Sequence, residues 1–181
     1  MANPIYFYTE GDIPVIAQPT GMSCWATVNT MLVSWKNQQS YSIESVMDWL
    51  SSDFRQIFDS DTGLEGSRNQ EWAAINGFSI EYESCETPQH ILDLLQNHGP
   101  LIIIDDENNG TTNADGNRSW CVHARIIVGI EGEDVDDPAS VSLSIIDPND
   151  GQQYMERFTA FEAKYEAMAG ASNFQILMVH Y

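Results

Sequence analysis

Positive charge is scarce in this chain. Seven Lys and Arg stand against 27 Asp and Glu, a formal net charge of −20 over 181 residues. Nucleic acid and anionic membrane are both held through basic patches, so neither is expected as a partner. Cysteine is scarce too. Cys24, Cys85 and Cys121 make an odd number, and no CxxC pair occurs. That excludes a disulfide framework and a structural zinc site of recognised spacing. No metal and no cofactor is expected. No run of about 18 apolar residues is present, so no membrane-spanning helix is expected. The opening MANPIYFYTEGDIP has neither the basic start nor the apolar stretch of a secretory signal peptide. These absences point to a cytoplasmic protein of a reducing compartment.

What is present is enough for a core: 43% of the residues are hydrophobic, and the length suits one domain. Internal repeats and low-complexity tracts are lacking. The first half reads as helices. Apolar residues at 25, 28, 32 and 35 mark one face of a helix over Cys24–Trp35. Ser42 can cap a second, with Ile43, Val46, Met47 and Leu50 on one face. A third is expected over Ser67–Asn76. A fourth has Thr87 as cap, Pro88 at its first position and Gly99 at its end.

The second half reads as strands: Leu101–Ile104, Ser119–Ile130, Val141–Ile146, Gln152–Thr159 and a terminal Asn173–Tyr181, with a short helix near Phe161–Met168. Asp147-Pro-Asn-Asp-Gly151 is a strong turn sequence. The polar stretch Asp105–Asn117 reads as an exposed loop. Helices followed by an antiparallel sheet define an α+β fold class.

Cys24 lies in QPTGMSCWAT, between a Gly-containing turn and the start of the first helix. Backbone N–H groups and the helix dipole there favour a thiolate, the nucleophilic form. A free thiol titrates near ~8.5 and needs a partner to act at neutral pH. Of four histidines, His90 and His98 fall on the fourth helix, and His180 is next to the last residue. His123 sits in SWCVHARIIVGI, an apolar strand in which an ionisable group needs a partner. Asp147 closes the following strand and can accept the imidazole N–H, fixing its tautomer. Gln18, six residues before Cys24, can offer an amide N–H to a developing oxyanion, with the Cys24 N–H as second donor. Cys121 shares a strand face with His123, which allows it to lie near the same site, although a small buried filler is the simpler reading.

Gln18, Cys24-Trp25-Ala26 opening a helix, a strand His followed by Ala-Arg-Ile-Ile-Val-Gly, and a strand-end Asp together resemble a papain-like cysteine peptidase. The pattern is most similar to the compact bacterial papain-like family that includes a plant-pathogen effector protease. Peptidase domains that trim bacteriocin leaders come second, because they carry Cys-Gly-Pro where this chain has Cys24-Trp25-Ala26. Two departures stand out: Asp147 replaces the Asn of papain, and no Trp lies near it.

The resemblance implies a single catalytic domain over 1–181. A helical lobe over about 20–100 would carry the nucleophile helix, packed on a sheet lobe over about 100–181. It implies catalytic Cys24, His123 and Asp147, with Gln18 at the oxyanion. It also implies an effector or toxin role, with delivery into a target cell by a signal-peptide-independent route. The partners are then a protein substrate, basic if the acidic charge selects it, and a cognate inhibitor with a basic face. Two other classes use the same shell. One is an amidase, deamidase or acyltransferase; the other is a non-catalytic binding module. Trp25, Trp120 and the 105–117 loop are candidate cleft walls.

Overall fold

The computed structural model describes residues 2–82, 86–107, 114–116, 121–169 and 177–181. Strand β1 (Ile5–Tyr8) precedes helices α1 (Cys24–Asn37), α2 (Ile43–Leu50), α3 (Ser52–Asp59) and α4 (Asn69–Asn76). Then come β2 (Ser79–Glu81), α5 (Pro88–His98), β3 (Leu101–Asp106), β4 (Val122–Gly132), β5 (Val141–Asp147), β6 (Gln152–Arg157), α6 (Phe158–Ala169) and β7 (Leu177–His180). The strands form one antiparallel sheet in the order β2-β7-β3-β4-β5-β6, with β1 pairing the far end of β4. The class is α+β, as expected.

The caps follow the sequence. Ser42 accepts from the Ser45 N–H and Thr87 from the His90 N–H, and Pro88 opens α5. Three elements escape the sequence reading. Strands β1 and β2 come from the half that reads as helical, and α3 starts at a second Ser cap, Ser51, immediately after α2. The third expected helix begins as a 3-10 turn, Gly66–Arg68, before α4 proper. Strand β6 stops at Arg157, and α6 begins at once with Phe158, three residues earlier than expected. Residues 119–120 and 173–176 of two expected strands lie outside the described residues.

The sheet separates two apolar clusters. On one face α1–α4 pack against Ile102, Ala124, Ile126, Val128 and Ile146. On the other α5 and α6 pack against Leu101, Ile103, Ile127, Leu143 and Ile145. The alternation of strand side chains makes this division. Helix α1 is buried along Trp25–Ser34, on every side rather than on one face. Several of its polar groups are satisfied at close range, whereas Asn29 Nδ2 and Ser34 Oγ are buried without a hydrogen bond. Thr27 and Thr30 hydroxyls donate to the carbonyls of Ser23 and Ala26, and Asn29 Oδ1 accepts from Trp72 Nε1 at 2.8 Å. This all-round burial fixes where the N-terminus of α1, and with it Cys24, meets the sheet.

Candidate functional site

Cys24 is the first residue of α1. The Ser23 side chain caps nothing in the helix; its hydroxyl turns back to the Thr20 carbonyl at 2.9 Å. The positive end of the helix dipole is therefore presented to the cleft without a side-chain cap.

His123 enters from β4 and Asp147 from the end of β5. Their side chains are 11% and 15% exposed, and His123 Nε2 meets Asp147 Oδ1 at 2.7 Å. This leaves Nδ1 as the ring nitrogen available to the Cys24 thiol, which hydrogen-bonds to the imidazole. Burial works against charge on the ring. Hydrogen bonds to Asp147 and Cys24 and their negative charge outweigh it, pushing His123 up to about 10. Burial likewise works against the Asp147 carboxylate. The bonds from His123 and from the Asn149 N–H prevail and hold it below the usual carboxylate range. At neutral pH the pair is an imidazolium and a carboxylate.

The Asp147–Gly151 turn also anchors the Gln18 loop. The Gln18 N–H donates to the Pro148 carbonyl at 2.6 Å. Gly151 has φ +63°, and a Cβ there would lie 3.0 Å from Ala17 backbone, so only glycine lets the two loops approach this closely. The Gln18 side chain lines the cleft, but its amide group donates to the Thr20 and Gly21 carbonyls at 2.9 and 3.3 Å. Its other amide atom, Oε1, is buried without a hydrogen bond. All four expected residues, Gln18, Cys24, His123 and Asp147, thus face one cleft of about 860 Å³.

Cys121 lines the same cleft and is exposed. Partial burial, then Glu107 and Asp106, push its thiol up, which makes it a weaker nucleophile than a free cysteine. Trp25 contributes to the wall, whereas Trp120 and most of the 105–117 loop lie outside the described residues. So does Cys85. A second wall, Thr62–Gly66 with Met22, is absent from the sequence reading. It forms because the Asp61 carboxylate accepts the Met22 N–H at 2.8 Å, a contact 39 residues apart. Among the described lining residues there is no Lys or Arg, while Glu65, Glu107 and Asp147 are acidic. No group of three or more His, Cys, Asp or Glu suited to a metal ion occurs among the described residues. None of the described helices is long and apolar enough to cross a membrane.

A cysteine at a helix start facing a strand histidine fits the papain-like arrangement, and the comparisons with known proteins agree at the level of family and fold. The family model for the papain-like cysteine protease AvrRpt2 matches residues 8–166. The chain belongs to this family. It is therefore a papain-like cysteine peptidase. The fold is also that of a Bacillus anthracis protein described as a C39-like peptidase. That protein is 11% identical, with a TM-score of 0.61 over 96% of each chain. No curated protein matches. The match leaves outside it residues 2–7, with the start of β1, and 167–181, with β7.

Proposed function

We propose that this peptidase cleaves peptide bonds with Cys24 as nucleophile, His123 as general acid and base, and Asp147 as the residue that orients His123. The observation that carries the reading is the 2.7 Å bond between His123 and Asp147, with the Cys24 thiol interacting with the same ring. An imidazolium beside a thiol favours the thiolate. The thiolate attacks the substrate carbonyl carbon. The tetrahedral intermediate then collapses as His123 gives its Nδ1 proton to the leaving amine. Neutral His123 next takes a proton from water, which attacks the thioester and releases the acid. The Cys24 N–H, at the start of α1, supplies one hydrogen bond to the oxyanion. Gln18 supplies the other by turning its amide away from the Thr20 and Gly21 carbonyls.

In this reading residues 1–181 act as one catalytic domain, helical over about 20–100 and sheet over about 100–181. The acidic lining and the charge of −20 favour a basic protein substrate. The same charge suits an inhibitor protein with a basic face in the producing cell. The reading includes an effector or toxin role in a target cell, in keeping with membership of the family named for AvrRpt2. Expressing the wild type and Cys24→Ala in bacterial cytoplasm tests that role: selective growth arrest by the wild type supports it, and equal growth counts against bacterial targets.

The chemistry is tested by the pH dependence of thiol alkylation, resolved by site with peptide mass spectrometry. Rapid reaction of Cys24 at pH 6, lost in His123→Ala, supports the ion pair. Cys85 and Cys121 serve as internal references. Reaction of Cys24 no faster than Cys121 in the wild type would rule the pair out.

A further inference from the structure

Asp147 has two carboxylate oxygens, and the mechanism uses one. Oδ1 holds His123 Nε2 and the Asn149 N–H. Oδ2 faces the hydroxyl of Tyr154, on β6, at 3.5 Å. That hydroxyl also accepts a hydrogen bond from Arg125 Nη1 at 2.9 Å. Arginine can only donate, so the single Tyr154 hydrogen is left to point at another acceptor, and Asp147 Oδ2 lies within reach. Burial raises the Tyr154 hydroxyl above its ordinary value despite Arg125, so it keeps that hydrogen across the working range.

Arg125 is itself fixed. Its side chain is fully buried and ion-paired with Asp105, with Glu156 at 2.9 Å and with Glu107 at 3.0 Å. The Glu107 contact is at ion-pair distance without hydrogen-bond alignment. Lys164 of α6 closes the cluster on Glu107 and Glu156. Arg125 lies two residues after His123 on β4, so both side chains leave the same sheet face. The cluster is thus rigidly tied to the strand that carries the histidine.

We propose that Tyr154 is a positioning residue for Asp147. It fastens the second carboxylate oxygen to the buried Arg125 cluster and thereby keeps the first on His123. The inference rests on the Cys24–His123–Asp147 reading above. Without the hydroxyl the carboxylate can swing about its Oδ1 contacts, and the imidazolium loses part of its support. The charged or titratable groups facing this unit are Cys24 from α1, Asp105 and Glu107 from β3 and its end, Glu156 from β6 and Lys164 from α6. Burial pushes Asp105 up to about 6, Arg125 pulling the other way, so its ionisation is complete before His123 titrates.

The test is the NMR titration of ring-labelled histidine between pH 7 and 11, with His123→Gln used to assign the signal. Tyr154→Phe is expected to lower the His123 midpoint by about half a unit or more. Tyr154→Leu, which also lacks the hydroxyl, repeats the test with a different fit in the core. Tyr165→Phe, from the same apolar cluster but a different element, leaves the midpoint unchanged. An unchanged or raised midpoint in Tyr154→Phe, or an equal fall in Tyr165→Phe, overturns the proposal. Alkylation of Cys24 by iodoacetamide separates the two readings. If His123→Ala does not slow it in the wild-type background, the Cys–His reading fails. If His123→Ala slows it while Tyr154→Phe leaves both rate and midpoint untouched, only the Tyr154 assignment fails.

Discussion

The cleft joins two polar interiors built on different principles. On the helix side, α1 buries Thr27, Asn29, Thr30 and Ser34, all neutral, and the two threonines bond within their own helix. On the sheet side, β3–β6 and α6 bury Arg125 and Asp105, pair Arg125 with the partly buried Glu156, and hold His123 against Asp147. A neutral hydroxyl bonded to its own turn costs little to bury. A charge is tolerated only with its partner. The helix side therefore sets position with neutral groups, and the sheet side sets protonation. Neutral α1 delivers the thiol to a fixed point; the ionic layer determines what the imidazole there can do.

Removing chemistry without removing packing gives the largest contrast. Cys24→Ala deletes one sulfur at the half-buried end of α1. It is expected to lower peptide cleavage by about 10⁴-fold or more while leaving thermal stability nearly unchanged. A variant that still cleaved at a tenth of the wild-type rate would move the nucleophile elsewhere, and Cys121 would be the next residue to replace.

Next is the sheet side. Arg125→Met keeps most of the volume but leaves Asp105, Glu156 and Glu107 with Lys164 as their remaining described cation. Breaking a buried pair on one side costs about 3–5 kcal/mol. The prediction is a large fall in the urea midpoint with an unchanged slope. A loss under about 1 kcal/mol would mean the cluster behaves like a surface network, and the contrast between the two sides would collapse.

Asp147→Asn is smaller and depends on pH. His123 rises from its ordinary 6.5 to about 10 on folding, so its contribution is complete below 6.5 and lost as the pH climbs through 10. Asp147 moves down from 3.8, so its contribution is present above that value and lost as the pH falls through the lowered one. The gap between wild type and Asp147→Asn should therefore be widest between 3.8 and 6.5 and narrow toward 10. Its size is about 2 kcal/mol, that of a hydrogen bond between charged groups. Stability curves measured at pH 5 and pH 9 check it; a gap larger at pH 9 would reverse the assignment of charge.

The two sides also differ in how much of them a reader of the sequence can see. Cys24, His123 and Asp147 announce themselves because each sits at a local boundary or in a local conflict: a helix start, an ionisable group in an apolar strand, an Asp before Pro148. Punctuation likewise marks α2 and α5. Arg125 was in view beside His123, yet its partners are contributed by Asp105, Glu107, Glu156 and Lys164, which no local spacing connects. Strand β1 is missed because four residues, Ile5–Tyr8, carry too short a period, and its partner is more than 120 residues away. The all-round burial of α1 is hidden in the sequence for a different reason. Thr27, Asn29, Thr30 and Ser34 look like a solvent face, and tertiary packing buries them.

That buried polar side supplies the smallest and most discriminating test. Thr30→Val replaces a fully buried hydroxyl by a methyl of nearly the same shape. The hydroxyl bonds to the Ala26 carbonyl at 2.8 Å, which already accepts a backbone bond within α1, so its loss strands no acceptor. Both side chains are β-branched, so helix propensity hardly changes. The expected effect is within about 1 kcal/mol of zero, and Cys24 alkylation should keep its rate. A cost of 3 kcal/mol or more, comparable to that of Arg125→Met, would mean that the neutral interior of α1 is held as stringently as the ionic layer. A slowed alkylation would mean that the threonine hydroxyls help to place the thiol as well as fill the helix side.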